Sequence, residues 1–114
     1  MIKIFGIKNC DTMKKAFKWL DDNNIDYDFH DYKKLGADGD VLKIVIKEHG
    51  WENALNRRGT TWRKLDDTTK ETMNEESSLA TALDNPSIIK RPIMVYKNKT
   101  YLGFKADEYQ EILG

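Results

Sequence analysis

Met1-Ile-Lys-Ile-Phe-Gly6, then Ile7-Lys-Asn-Cys10, then Asp11-Thr-Met-Lys-Lys-Ala-Phe-Lys-Trp-Leu20 open the chain, and Asp21-Asp-Asn-Asn24 and Ile25-Asp-Tyr-Asp-Phe29 follow. Ile2 and Ile4 flank a polar Lys3, the period-2 signature of a short strand. Met13, Ala16, Phe17 and Leu20 recur at i, i+3, i+4 and i+7, which predicts a helix beginning at Asp11. The run Asp21 to Asn24 stops that helix, and Ile25 to Phe29 alternates apolar with polar as a half-buried strand does. Two strands joined through a helix pair in parallel with a right-handed crossover. These residues therefore set the fold class as α/β.

Outward from this unit the pattern changes. From Lys34 to about Asn85 there is no alternation, only helical faces: Leu42, Val45, Ile46 and His49, stopped at Gly50, then Trp51 to Asn56, Thr61 to Leu65 and Ser77 to Leu83. Trp51, Leu55, Trp62, Leu65, Leu79 and Leu83 give this segment apolar surface to bury, so it reads as a helical insertion over residues 35–85 and not as a linker. The sheet resumes with Pro92 to Tyr96 and Thr100 to Phe104, joined by Lys97-Asn98-Lys99 as a hairpin turn. Ala106 to Leu113 is a closing helix facing inward through Tyr109, Ile112 and Leu113. The expected organisation is a core of residues 1–34 and 86–114, built as βαβ then ββα around a mixed four-stranded sheet, with the helical block inserted.

Composition narrows the function classes. The chain has 114 residues, enough for one ordinary domain. Its 19 basic and 19 acidic residues cancel, so the whole chain carries no electrostatic footprint for nucleic acid. No apolar run is long enough to span a bilayer, and the apolar start is too short for a signal peptide. A cytoplasmic protein, without membrane or nucleic-acid partners and monomeric, is expected. One cysteine excludes an intramolecular disulfide and fits a reducing compartment.

That cysteine, Cys10, falls between the first strand and the first helix. A helix N-terminus presents unpaired N–H groups and positive potential, which favour thiolate over thiol. Lys8, Lys14 and Lys15 add cationic side chains nearby. With an ordinary pKa of about 8.5 only a few per cent of a thiol is ionised at pH 7, so such a placement decides whether the sulfur is a nucleophile. A buried, inert cysteine is the alternative. Asp11 reads as a helix cap, and Thr12 either as a second cap or as a hydrogen-bond donor to the sulfur. His30 and His49 have no cysteine, histidine or carboxylate at metal-ligand spacing and read as structural or exposed, so no metal is expected.

Four segments in order, Asn9-Cys-Asp-Thr-Met-Lys-Lys-Ala16, Arg58-Gly-Thr-Thr-Trp-Arg-Lys-Leu65, Ile89-Lys-Arg-Pro-Ile93 and Leu102-Gly-Phe-Lys105, resemble the arsenate reductase (ArsC) family and specifically its YffB-type branch. The resemblance implies a thioredoxin-like fold with an inserted helical subdomain, Cys10 as catalytic nucleophile, and Pro92 as a cis proline that leaves adjacent backbone groups free for a thiol peptide. It implies that Arg58 and Arg91 hold an oxyanion or carboxylate, a task suited to the planar fork of a guanidinium. Lys8, Asn9, Thr12, Lys14 and Lys105 complete the candidate anion-binding set. Against the family pattern, Phe104 stands where true arsenate reductases carry a third arginine, Gly6 where they carry a histidine and Lys14 where they carry another arginine. The oxyanion pocket is depleted. In Spx-type members the cysteine belongs to a Cys-x-x-Cys switch that controls RNA polymerase binding, whereas Met13 stands at the second position here. Cys10 must then be resolved by an external thiol, so the expectation is a glutathione-dependent thiol reductase with no bound cofactor, working with glutathione or a glutaredoxin-like reductant. Arsenate reduction proper, and a non-enzymatic regulator that binds a protein through the helical insertion, are the two alternatives. Arg58 on a solvated loop beside Arg57 is likewise an alternative to a site residue.

Overall fold

The computed structural model describes residues Met1–Gly114, and the chain divides into two compact units, Met1–Leu35 with Arg91–Gly114, and Gly36–Lys90. In the first unit β1 (Ile2–Gly6), α1 (Asp11–Asp22), β2 (Tyr27–Asp31) and a single turn of helix, α2 (Tyr32–Leu35), are followed after the second unit by β3 (Ile93–Tyr96), β4 (Lys99–Leu102) and α8 (Ala106–Leu113). The sheet order is β2-β1-β3-β4. β1 runs parallel to β2, with Ile4 opposite Phe29, and antiparallel to β3, with Ile4 opposite Met94. This is the mixed four-stranded α/β sheet expected from the sequence.

Alternation along β1 explains the packing. Ile2, Ile4 and Gly6 share one face, and Ile2 and Ile4 are buried with Met13, Ala16 and Leu20 of α1, Met94 of β3 and Tyr109 of α8 in one apolar cluster. Phe5, on the opposite face, lies 5.1 Å from the ring of His30, whose other neighbour is Tyr32 at 5.9 Å. His30 is thus a structural aromatic. Phe17 completes the helical stripe at its margin, stacked on Tyr27 and edge-on to Phe29.

Several boundaries differ from expectation for local reasons. β2 begins two residues late because Asn24, at φ 56°, turns the chain and the Ile25 N–H closes the helix on the Leu20 carbonyl. Ile25 is spent on ending α1. The β3–β4 turn contains two residues, not three: Lys97 and Asn98 are both at positive φ and Lys99 already pairs with Tyr96. Asp11 does not cap α1. It is the first helical residue, and Cys10 itself occupies the cap position with extended backbone.

The second unit holds α3 (Gly39–His49), α4 (Trp51–Ala54), α5 (Thr60–Arg63), α6 (Asp67–Glu71), α7 (Glu75–Asp84) and a 3-10 turn at Pro86–Ile88. Leu42, Val45 and Ile46 are buried as their spacing predicts, and Asp38 caps α3 by accepting from the N–H groups of Asp40 and Val41. α6 has no counterpart in the sequence reading; the Asp66 carboxylate, accepting from the Thr69 N–H, starts it without an apolar stripe. Of the six apolar residues expected to be buried, Leu55 is, Trp51, Trp62, Leu65 and Leu79 are half-buried, and Leu83 is 43% exposed. An isolated antiparallel bridge joins Leu55 to Ile89, so this segment is not wholly free of β pairing. Residues 86–90, grouped by the sequence reading with the C-terminal strands, pack within this unit: Asn56 N–H donates to the Ile88 carbonyl and Lys90 N–H to that of Ala54. No helix is long and apolar enough to cross a membrane.

Candidate active site

β1 ends at Gly6, and Ile7, Lys8 and Asn9 lead to Cys10 at the N-cap of α1. The cap residue has no helical role for its side chain, and the Cys10 carbonyl accepts the first intrahelical bond, from the Lys14 N–H at 3.0 Å. Its thiol makes no capping hydrogen bond to the first turn. Burial works against ionisation of this half-exposed sulfur, but the N–H of Met13, a hydrogen bond and the positive charge from the Arg91 guanidinium, and the N–H of Thr12 together outweigh it. The net effect holds the thiol below its ordinary pKa. Thr12 thus does contribute, through its backbone.

Arg91 reaches the sulfur because β3 lies beside β1 in the sheet. It immediately precedes β3, and the Arg91–Pro92 bond is cis, as the family resemblance implies. The Pro92 carbonyl accepts from the Gly103 N–H at 2.9 Å, so this group is engaged within the sheet rather than left open. Gly103 sits at φ 75°, a conformation that suits a residue without a side chain just after β4.

The other candidates are placed as follows. Lys8 and Asn9 are exposed in the loop before the thiol, and Lys14 and Lys15 are exposed in the first turns of α1. None of these lysines is among the causes that lower the Cys10 pKa; that role expected of Lys8, Lys14 and Lys15 falls to Arg91 and two backbone N–H groups. Lys105 is exposed at the N-cap of α8. Phe104 is half-buried and meets Tyr109 edge-on at 4.7 Å, so the place of a third arginine is filled by an aromatic packed on the core. Arg58 belongs to the second unit, exposed, with its N–H donating to the Asn56 side chain. Two contributors were missed from sequence. The Met13 N–H helps to hold the Cys10 pKa down, whereas the sequence reading used Met13 only as an absent second cysteine. Gly6 is in close approach to Met13: a Cβ built there would lie 2.6 Å from the Met13 Sδ.

Residues 5–112 match the ArsC family. The chain belongs to the ArsC family. A solved YffB protein shares 46% identity with it at a TM-score of 0.96, covering 100% of both chains. An uncharacterised Haemophilus influenzae protein is 44% identical over 110 residues, 96% of each chain. The global transcriptional regulator Spx of Streptococcus pyogenes is 28% identical over 119 residues, spanning 99% of this chain and 85% of its own length. The thioredoxin-like fold with its inserted helices is that of this ArsC relative set, and Cys10, Arg91 and Pro92 lie at the same end of the two central strands of its sheet, β1 and β3.

Proposed function

We propose that this ArsC-family chain is a glutathione-dependent thiol reductase acting through a mixed disulfide at Cys10. The observation that carries the reading is the thiol at the cap position of α1, held below its ordinary pKa by the Met13 and Thr12 N–H groups and the Arg91 guanidinium, in a chain with no second cysteine. The Cys10 thiolate attacks the glutathione sulfur of a glutathionyl disulfide; the S–S bond breaks, the substrate sulfur leaves as a thiolate and takes a proton from water, and Cys10 becomes glutathionylated. A second glutathione thiolate then attacks that glutathione sulfur, releasing oxidised glutathione and restoring the Cys10 thiolate. The substrate is reduced by two electrons and two glutathione moieties leave as one disulfide. A glutaredoxin-like protein is the other reductant for the second step. In this reading Arg91 holds the thiolate and meets a glutathione carboxylate, and Lys8, Asn9, Thr12, Lys14 and Lys105 supply further polar contacts from the same unit.

Phe104 favours this reading over arsenate reduction, since an aromatic packed on Tyr109 offers no donor to an oxyanion. The test is mass spectrometry of the protein after incubation with oxidised glutathione, followed by reduced glutathione. One glutathionyl adduct on Cys10, lost on adding reduced glutathione and absent in Cys10→Ser, is expected, along with shifts in the amide NMR signals of Cys10 and Arg91 on titrating glutathione. An ordinary Cys10 pKa with no adduct overturns the reading. Arsenate turnover with glutaredoxin, lost in Arg91→Ala, replaces it with the arsenate reductase alternative.

A further inference from the structure

We propose that the groove between α3 and α7 binds a short zwitterion with an apolar body, an apolar dipeptide or amino acid, with its carboxylate on the Lys43–Lys47 wall and its ammonium on the Glu75–Glu76 wall. The groove lies wholly within the second unit and requires nothing of the Cys10 chemistry. Its walls follow from helix periodicity. Lys43, Ile46 and Lys47 are spaced i, i+3 and i+4 on α3, and Glu75, Glu76 and Leu79 lie within about one turn of α7, so each helix lends the groove one apolar residue and two like charges. A Cβ on Gly39, at the start of α3, would lie 3.7 Å from the Leu83 side chain near the end of α7. The helices therefore run antiparallel, and the later turns of α3 lie beside the first turn of α7. Ile46 is buried and Leu79 half-buried, which makes the lining between the walls apolar, while the four charged side chains are exposed. Each pair of charges suits its own helix, cations toward the C-terminus of α3 and carboxylates at the N-terminus of α7. That accounts for each wall alone. It does not account for walls that leave each other unpaired: no ion pair joins either lysine to either glutamate. A ligand of one sign is attracted by one wall and repelled by the other, whereas a molecule charged oppositely at its two ends satisfies both. Its apolar body then meets Ile46 and Leu79. The groove encloses about 380 Å³, toward the lower end of the range of about 300–1,000 Å³ for small-molecule sites, which suits a ligand of this size.

The experiment titrates the isotope-labelled intact chain with leucyl-leucine and follows its amide NMR signals. Saturable shifts confined to α3 and α7, largest around Ile46 and Leu79, are expected. N-acetyl-leucyl-leucine, which lacks the ammonium, and leucyl-leucine amide, which lacks the carboxylate, each bind about threefold more weakly or worse, and glycylglycine, a zwitterion without the apolar body, gives no saturable shift. The variant carrying Lys43→Gln and Lys47→Gln loses affinity for leucyl-leucine by a similar factor but binds the amide as the parent does. The variant carrying Glu75→Gln and Glu76→Gln shows the same pattern with the N-acetylated peptide, so each wall is coupled to one end of the ligand. All four substitutions replace exposed side chains, which keeps the fold out of the comparison. The absence of any saturable shift overturns the proposal, and so does equal affinity for the zwitterion and its two capped forms. Shifts at Ile46 and Leu79 that grow with protein concentration alone give the groove to a second copy of the chain and overturn it as well. None of these outcomes touches the glutathionyl adduct at Cys10, whose presence or absence judges the redox reading by itself.

Discussion

Tyr109 offers the most quantitative test of the packing around the site. Its side chain is fully buried between Trp19 at 5.6 Å and Phe104 at 4.7 Å, both edge-on, and its hydroxyl has no hydrogen-bond partner. A buried hydroxyl without a partner costs about 1–3 kcal/mol relative to its hydrated state. Tyr109→Phe removes that cost and keeps both ring contacts. It also loses the dispersion contacts of one oxygen, on the order of a few tenths of a kcal/mol from a handful of atom pairs. The desolvation effect is the larger, so the variant gains about 1 kcal/mol, and its thermal midpoint rises by about 4 °C in a chain of this size. Circular dichroism melts of parent and variant at matched concentration measure this directly. The phenol itself gives a second readout, because burial first and the neighbouring Glu108 second push its pKa well above the usual tyrosine value. In an alkaline absorbance titration one of the five tyrosines ionises only as the protein unfolds, and in Tyr109→Phe that late step is gone. A midpoint that falls in Tyr109→Phe would mean the hydroxyl is satisfied in solution and that the reasoning is wrong.

Three further perturbations follow from the site and its supports. Arg91→Ala removes both a hydrogen bond and a positive charge from the Cys10 sulfur, so its alkylation profile moves to higher pH, with Arg91→Lys between parent and alanine; superimposable profiles would strip Arg91 of its role. Because the folded protein lowers the Cys10 pKa, the thiolate stabilises the fold fully only above the ordinary thiol value of about 8.5 and loses that contribution as pH falls through the lowered folded value. The stability of the parent relative to Cys10→Ser, from urea melts, therefore rises with pH across that window, and a flat difference would contradict the shift. Asn74→Ala breaks the reciprocal capping of α7, in which the Ser77 N–H donates to the Asn74 side chain and the Asn74 N–H to the Ser77 hydroxyl, both at 2.9 Å; a loss of about 1 kcal/mol is expected in the same melts.

The sheet and the first helix were legible because their apolar residues repeat at periods that only one geometry satisfies. Ile2 and Ile4 against Met13, Ala16 and Leu20 required no partner information. What failed was chemistry that periodicity does not encode. Asn24 in the left-handed region consumed Ile25, and α6 stands on the Asp66 cap in a stretch with no stripe to detect. Leu83 lies at a helical position yet stays exposed, since a stripe names a face and not how much of it is covered. At the site, the position of Cys10 before a helix was readable, but the origin of its acidity was not. Nearby lysines are conspicuous in the sequence, whereas the cation that acts comes from the start of a strand far along the chain. Only family resemblance pointed to Arg91. The Gly6–Met13 contact left a fainter trace: a glycine of the same parity as two buried isoleucines, followed by the first apolar residue of the helix.

The sheet order gives this thiol a history during synthesis. β1 and Cys10 are made well before Arg91 and β3, the strand that bonds to the side of β1 left open by β2. Until that long-range pairing forms, the sulfur lacks its guanidinium and β1 has β2 alone for a neighbour. Until β3 pairs with β1, the Cys10 thiol lacks the part of its acidity that Arg91 supplies. The chemistry of Cys10 is thus coupled to a pairing between strands far apart in the sequence.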